Sequence, residues 1–101
     1  MGITYGILGA DGIRRVITAS QHHNKKILPE YYELVCAGIK NFELRKNDED
    51  YQVGDTVTFL EFSKEHGYSG RKSRTVTINY VLKDVQQYGL ADGYCIFGWV
   101  D

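Results

Sequence analysis

Lys40, Glu43 and Arg45 are the residues whose types and spacing could do chemistry in this sequence. A lysine is a compact positive charge suited to a phosphate or, if desolvated, to acting as a base. An arginine offers a planar fork for a phosphate or for the acceptor edge of guanine. A carboxylate accepts hydrogen bonds from an exocyclic base amine. Together the three side chains could read one splayed-out nucleotide, by its charge and by its base.

The same residues also have simpler interpretations. Glu43 and Arg45 could form only a surface ion pair, which contributes about 0–1 kcal/mol. Lys46 and Asn47 either extend the candidate ligand-binding set or belong to a solvated turn. If the protein is an enzyme, Lys40 and Glu43 are the candidate catalytic residues, because together they could activate a water as a general base. The residue types alone leave these alternatives open, and they name no catalytic residue outright.

A short helix precedes these residues and must help to position them. Pro29 suits a first helical turn, where its missing N–H has no cost, and Gly38 can close the helix in a left-handed C-cap. The helix is therefore predicted over about residues 29–37. Spacing of i, i+3, i+4 predicts one buried face, made of Tyr31, Leu34 and Val35.

Alternating segments follow the helix and read as strands. In NFELR the alternation assigns Phe42 and Leu44 to the core and the other set, Asn41, Glu43 and Arg45, to the opposite face. SKEHGYSGRKS reads as a hairpin loop. Further strands are DTVTFLEF, RTVTINYVLK and YCIFGWV, with core candidates Val57, Phe59, Phe62, Val76, Ile78, Tyr80 and Leu82.

The overall charge and composition argue against a dedicated duplex-DNA-binding protein. The chain has 101 residues, a net charge of −1 and a pI of about 6.3, whereas a dedicated duplex-DNA binder usually has a strong basic excess. Arg71, Lys72 and Arg74 are either a small basic patch or the solvated start of a strand. Cys36 and Cys95 lack metal-ligand spacing and read as small core residues in a reducing compartment.

These features predict a cytoplasmic protein without a membrane span, cofactor or metal site. Residues 1–24 read as an N-terminal extension, either disordered or an added strand, with a short strand at Ile13–Ile17. Residues 25–101 read as the folded domain. Its predicted class is α+β and mostly β, a small closed barrel of four to six strands with one short helix packed against it.

The segment Ile27–Asp55 carries a family resemblance. Its pattern Gly-x-Lys-x-x-Glu-x-Arg, formed by Gly38, Lys40, Glu43 and Arg45, resembles the signature of the ASCH superfamily. The longer run GxKxFExRKND, followed by YQVGD, is similar to an uncharacterised ASCH-like branch common in phage and bacterial genomes. GYCIFGWV resembles the closing strand of that branch. The resemblance implies a PUA-like barrel with a cleft between helix and barrel, lined by the motif residues.

The resemblance also implies a function, which we expect to be binding of RNA or a nucleotide through Lys40, Glu43, Arg45, Lys46 and Asn47. Tyr32 and Tyr68 are the candidates for base stacking. Two alternatives remain. The first is a small amidohydrolase acting on acylated cytidine-type nucleosides, although Glu43 occupies the position where such proteins carry a threonine. The second is a phage-related protein–protein adaptor. The oligomeric state is left open.

Overall fold

The computed structural model describes the backbone of residues 4–8 and 14–100, and the side chains of residues 19–100. Strands β1 (Thr4–Leu8) and β2 (Arg14–Thr18) pair antiparallel with each other as a separate two-stranded sheet. The short strand predicted at Ile13–Ile17 corresponds to β2. Ile13 itself lies outside the described residues.

A six-stranded sheet and one helix make up the rest of the fold. The helix α1 (Pro29–Cys36) lies between β3 (His22–Ile27) and β4 (Phe42–Lys46) in the chain. The remaining strands are β5 (Thr56–Ser63), β6 (Gly67–Lys72), β7 (Val76–Lys83) and β8 (Tyr94–Trp99), and a single 3-10 turn (Gln86–Tyr88) separates the last two. The predicted mostly-β, α+β class with one short helix is confirmed.

The order of the strands differs from the expected closed barrel. The main path of the sheet is β3-β5-β7-β8-β4, and β6 pairs with β5 off this path. The two end strands, β3 and β4, do not pair with each other within the described residues, so the sheet is open and the closed barrel is wrong. β3 and β5 are also parallel, because α1 and β4 lie between them in the chain and return it to the same end of the sheet.

The helix begins and ends where the local sequence predicts. Pro29 occupies its first turn, and Gly38 adopts a φ of 74° just beyond the helix. The amides of Gly38 and Ile39 then bond back to the carbonyls of Val35 and Leu34, which satisfies carbonyls that the helix end leaves free.

The buried face of α1 differs from the predicted one. Val35 is fully buried as expected, but Tyr31 and Leu34 are exposed and Tyr32 is buried instead. The helix packs on β5, and Tyr32 and Val35, three positions apart, lie on the side that this contact covers. Tyr32 is consequently part of the core and cannot stack on a base. Cys36 at the end of α1 is exposed, so its predicted core position is wrong, whereas Cys95 is fully buried.

The core lies on the inner face of the six-stranded sheet, where α1 covers it. Val57, Phe59, Val76 and Ile78 are buried as predicted. Tyr80 is 61% exposed, because the register of β7 against β8 shifts between Ile78 and Tyr80 and this irregularity interrupts the alternation of the strand. The buried residues form one cluster: Ile27, Tyr32, Val35, Tyr51, Val57, Phe59, Val76, Ile78, Cys95, Phe97 and Trp99.

The alternation of β4 runs opposite to the predicted one. Phe42 and Leu44 are 50% and 56% exposed, whereas Glu43 is only 8% exposed. The pairing with β8 explains this reversal, since Glu43 lies opposite Phe97 and Arg45 lies opposite Cys95. Residues opposite each other on paired strands share a face, and Phe97 and Cys95 are core residues. Glu43 and Arg45 therefore point inward, whereas Lys46 is exposed.

Candidate functional site

A cleft of about 380 Å³ separates the two end strands of the sheet. One wall comes from β3 and the residue after it, and the opposite wall comes from β4. Tyr31 of α1 and Tyr94 at the start of β8 complete it. The lining residues are Lys25, Lys26, Ile27, Leu28, Tyr31, Glu43, Leu44, Arg45, Lys46, Asp48 and Tyr94.

Lys40, Glu43 and Arg45 form one ion-pair network beside this cleft. The ammonium of Lys40 donates to Oε1 of Glu43, and Nη1 of Arg45 donates to Oε2 of the same carboxylate at 2.8 Å. Lys40 also donates to the carbonyl of Phe42 at 2.6 Å. The predicted proximity of the three motif residues is thus confirmed, and their arrangement is two cations on one carboxylate.

The network is largely shielded from water. The side chains of Lys40, Glu43 and Arg45 are 14%, 11% and 20% exposed, so the interpretation as a fully solvated surface ion pair does not apply. Burying an ion pair generally contributes little net stability, because desolvation of the charges offsets their attraction. Two cations against one carboxylate also leave a net positive charge beside the cleft. Such an arrangement suits an anionic ligand better than it suits stability alone.

Arg45 bridges the two walls of the cleft. Its Nη2 atom donates to the carbonyl of Lys26 on β3 at 3.2 Å, while Nη1 holds Glu43 on β4. These two contacts use two of the five N–H groups of the guanidinium, and no described residue accepts a hydrogen bond from the others. Arg45 is thereby held in one orientation by groups on both end strands.

Basic side chains line both walls of the cleft. Lys25, Lys26 and Lys46 join Arg45 among the residues that line the cleft, against the two carboxylates Glu43 and Asp48. The cleft is consequently basic although the chain as a whole carries a net charge of −1.

The tyrosines of the cleft are Tyr31 and Tyr94, which are 42% and 43% exposed. Neither was among the predicted stacking candidates. Tyr68, the second of those candidates, is exposed but lies on β6 against Phe62, with ring centroids 5.0 Å apart. It does not line the cleft described here.

The remaining predicted residues fall in different places. Lys46 lines the cleft. Asn47 instead organises the loop after β4, because its side-chain oxygen accepts a hydrogen bond from the amide of Tyr51 at 3.1 Å.

Two residues of the predicted basic patch bind the helix. Arg71 pairs with Glu33 of α1, and Arg74 donates to the carbonyl of Val35. Both arginines therefore hold the helix on the sheet, away from the cleft.

A buried polar network lies next to the cleft and was not predicted. His23 is 3% exposed, and its two ring nitrogens lie 2.8 Å from Glu49 and 2.8 Å from Asp55. Lys25, a residue of the cleft wall, forms an ion pair with Glu49. His23 and Lys25 lie on the same face of β3, two residues apart, which was the available signal in the sequence. The network holds the loop between β4 and β5 against β3.

Tyr51 underlies this network. It is 1% exposed, and its ring lies 4.6 Å from that of His23 and 4.8 Å from that of Phe97. Burial raises the pKa of the Tyr51 phenol, and the ammonium of Lys25 opposes that rise. Burial would lower the pKa of Lys25, but the hydrogen bond to Glu49 and the neighbouring Tyr51 raise it above its ordinary value. Lys25 therefore stays charged at the cleft.

Glu49 makes the stability of this region dependent on pH. Its pKa lies below the ordinary value of 4.5, because the side chains of Lys25 and His23 bond its carboxylate. A carboxylate with a lowered folded pKa stabilises the fold above its unfolded pKa, and this contribution is lost as the pH falls through the folded pKa. We expect Glu49→Gln to lower the free energy of unfolding at pH 6 by no more than about 1 kcal/mol, since the side chain is partly exposed.

The difference between wild type and Glu49→Gln should shrink as the pH falls below 4.5 and through the lowered pKa of the folded state, because the wild-type carboxylate becomes protonated. Urea unfolding followed by the fluorescence of Trp99, which is buried, measures it at each pH. Glu65→Gln, at an exposed position between β5 and β6, is the control and should show no such convergence. A constant difference for Glu49→Gln at all pH values would contradict the prediction.

Within the described residues, the structure contains no helix with the length and apolar character of a transmembrane span.

Comparison with known proteins gives a family match. Among curated proteins, no relative matches the chain. A family model for a domain of unknown function, DUF3850, matches residues 22–99. This range begins at the first residue of β3 and ends at the last residue of β8, so it covers the six-stranded sheet, the helix and both walls of the cleft. The chain belongs to the DUF3850 family.

Proposed function

We propose that this protein binds RNA or a nucleotide in the cleft between β3 and β4. The observation that carries the proposal is the shielded network of Lys40, Glu43 and Arg45, because Glu43 and Arg45 line a basic cleft with exposed tyrosine rings and Lys40 binds Glu43 beside it. The resemblance of the motif to the ASCH signature supports the same proposal, because members of that superfamily are presumed to bind RNA. Lys46 completes the proposed binding set, and Asn47 supports it by ordering the adjoining loop.

The roles of the residues follow from their chemistry. Arg45 presents its free N–H groups to a phosphate or to the acceptor edge of a base. Glu43 lines the cleft beside it and can accept from a base amine if the ligand displaces one of its two cations. Tyr31 and Tyr94 offer ring faces for stacking, which contributes about 1–3 kcal/mol per base in single-stranded complexes. A single-stranded or looped RNA can present its bases in this way, whereas a duplex keeps them stacked.

The near-neutral charge of the whole chain shapes the expected affinity. Nonspecific binding to nucleic acid draws mainly on phosphate neutralisation by lysine and arginine. The basic residues that line the cleft and could supply it are Lys25, Lys26, Arg45 and Lys46. We therefore expect modest affinity, localised at the motif, with a salt dependence that reflects only a few phosphate contacts.

We also propose that the sheet is an opened form of the PUA-like barrel that the ASCH resemblance implies. The two end strands, which a closed barrel would pair, approach closely enough for Arg45 on β4 to bond the carbonyl of Lys26 on β3 at 3.2 Å. On this proposal the ligand occupies the gap between the strands. A backbone with unpaired groups on both sides of a cleft offers additional donors and acceptors to that ligand.

An NMR titration of the labelled protein tests the proposed function. A short mixed-sequence RNA should shift the resonances of Lys25, Lys26 and residues 43–48, with saturation and with weakening as salt is raised. Free nucleosides, including acetylated cytidine, form the second arm. If acetylated cytidine shifts these resonances and acetate is released, the result supports the hydrolase alternative and contradicts RNA binding. The absence of shifts with all ligands would contradict the proposal and favour the adaptor alternative.

A further inference from the structure

Two smaller depressions share lining residues with the cleft. The first has a volume of about 260 Å³ and adds Phe62 and Lys64 to residues that it shares with the cleft, namely Lys26, Ile27, Leu28 and Arg45. The second has a volume of about 240 Å³, shares Leu44 and Tyr94 with the cleft, and adds Gly89, Leu90 and Ala91. We call the first depression the basic end and the second the apolar end.

The basic end is suited to a phosphate. Lys26, Arg45 and Lys64 line it, and none of the described residues that line it carries a carboxylate. Arg45 is paired with Glu43. The ammonium of Lys26 lies 4.5 Å from the centre of the Phe62 ring, and this contact holds the charge over the depression. Lys26 and Lys64 form no ion pair among the described residues, and two such cations attract a polyanionic backbone.

The apolar end has the opposite character. No charged residue is among the described residues that line it. Leu44 and Tyr94 are both about half exposed there, and they leave apolar surface facing the depression. A planar base can cover this surface without losing a charged partner, since every base has an apolar face.

The volume of the central cleft limits what each part can hold. Pockets that bind small ligands measure about 300–1,000 Å³, and the cleft of about 380 Å³ is near the lower limit. One nucleotide would fill it. Any neighbouring nucleotide of the same strand must then lie outside the cleft, and the two depressions that share its walls are the adjoining concave surfaces.

We infer that the cleft and its two ends form one groove for a single strand of about three consecutive nucleotides. The inference rests on the proposed function, because the central nucleotide is the one held at Glu43 and Arg45. The strand backbone passes the basic end at Lys64, and a base of the neighbouring nucleotide rests on Leu44 and Tyr94. The protein therefore binds a short single-stranded RNA segment rather than a free nucleotide.

Titrations with a mononucleotide, a dinucleotide and a trinucleotide of RNA test the inference. We expect the affinity to rise at least about fivefold with each added nucleotide, because fivefold is the lower limit of the gain from stacking one base. Lys64→Ala should weaken trinucleotide binding several-fold and reduce the slope of log K against log salt by about 0.7, the change for one lost phosphate contact. Ala91→Glu should weaken the trinucleotide as well, by placing an anion at the apolar end.

Both variants should leave mononucleotide binding unchanged, since neither position lines the central cleft. Lys83→Ala is the matched control, because Lys83 is an exposed lysine at the end of β7 that lines none of these three depressions. Equal affinity for all three lengths would overturn the groove and leave the proposed function intact. The same holds if length increases affinity but neither variant reduces it. If no length binds, the proposed function itself fails.

Discussion

Arg45→Ala is expected to weaken RNA binding by about ten- to one-hundredfold, the loss typical of one or two hydrogen bonds to a charged group. The side chain bridges both walls of the cleft through Lys26 and Glu43, so the substitution removes a ligand donor and also one of the two cations on Glu43. A carboxylate left with one partner then faces an anionic ligand, and its repulsion adds to the loss. Isothermal titration calorimetry with the trinucleotide measures the effect.

Arg71→Ala is the matched control for this variant. Arg71 also pairs with a shielded glutamate, Glu61, at 3.5 Å, and it lies over the ring of Tyr32. It therefore resembles Arg45 in its partners but lies away from the cleft. We expect Arg71→Ala to retain the affinity for RNA. Equal losses in the two variants would mean that unspecific basic charge, and not the position of Arg45, determines binding. Unchanged affinity in Arg45→Ala and in Lys40→Ala would exclude the motif as the binding site.

Asp55→Ala is expected to reduce the free energy of unfolding by about 3–5 kcal/mol, as in other buried charged networks that lose one partner. Asp55 is 2% exposed. Its carboxylate accepts hydrogen bonds from the amides of Gln21 and Gln52, at 3.0 and 3.1 Å, and lies 2.8 Å from the ring of His23. Alanine leaves all three groups without this partner in the interior. Small domains have total stabilities of only about 5–15 kcal/mol, so this loss is a large fraction of the free energy of unfolding.

Urea unfolding followed by Trp99 fluorescence measures this loss. Asp55→Asn should lie between wild type and Asp55→Ala, because the amide oxygen still accepts from a backbone amide but the charge is gone. Asp92→Ala is the control at an exposed aspartate, which among the described residues accepts only from the side chain of Gln86, and it should change stability by less than about 0.5 kcal/mol. A loss at Asp55→Ala no larger than at Asp92→Ala would show that the network around His23 is not required for the fold.

The helix could be predicted because its signals are local, and those of the turn before β5 are equally local. Pro29 and Gly38 mark the start and end of α1 through their own backbone preferences. Gly54 and Asp55 act in the same way, since Gly54 adopts a φ of 96° and Asp55 bonds the backbone of Gln52 within the turn. No distant residue is needed for any of these conformations.

A clearly apolar face of a strand does not by itself predict which face is buried. In β4 the alternation is unambiguous, but it does not say which of its two faces is inward. The pattern alone favours Phe42 and Leu44 for the core. Pairing with β8 reverses this, because Phe97 and Cys95 lie in the core and bring their partners Glu43 and Arg45 to the same face. The ion pairs of Glu43 with Lys40 and Arg45 make its inward position tolerable.

The walls of the cleft come from parts of the chain that no local pattern connects. Arg45 meets the carbonyl of Lys26, which lies 19 residues earlier, and Tyr94 enters from the last strand. The parallel pairing of β3 with β5 places β3 at one end of the sheet, and the pairing of β4 with β8 places β4 at the other. Only the curvature of the intervening strands brings these two ends together.

By itself, the sequence determined a small, mostly β protein with one capped helix, and it determined that Lys40, Glu43 and Arg45 lie close enough to interact. Caps, turns and short spacings depend on a few adjacent residues, so their energies can be judged locally. Tertiary structure alone decided that the sheet is open, that the charged face of β4 turns inward, and that Lys25, Lys26, Tyr31 and Tyr94 surround it. Burial and pairing are decided by partners distant in the chain, because each strand shares its hydrogen bonds and its inner face with neighbours that the sequence does not place beside it.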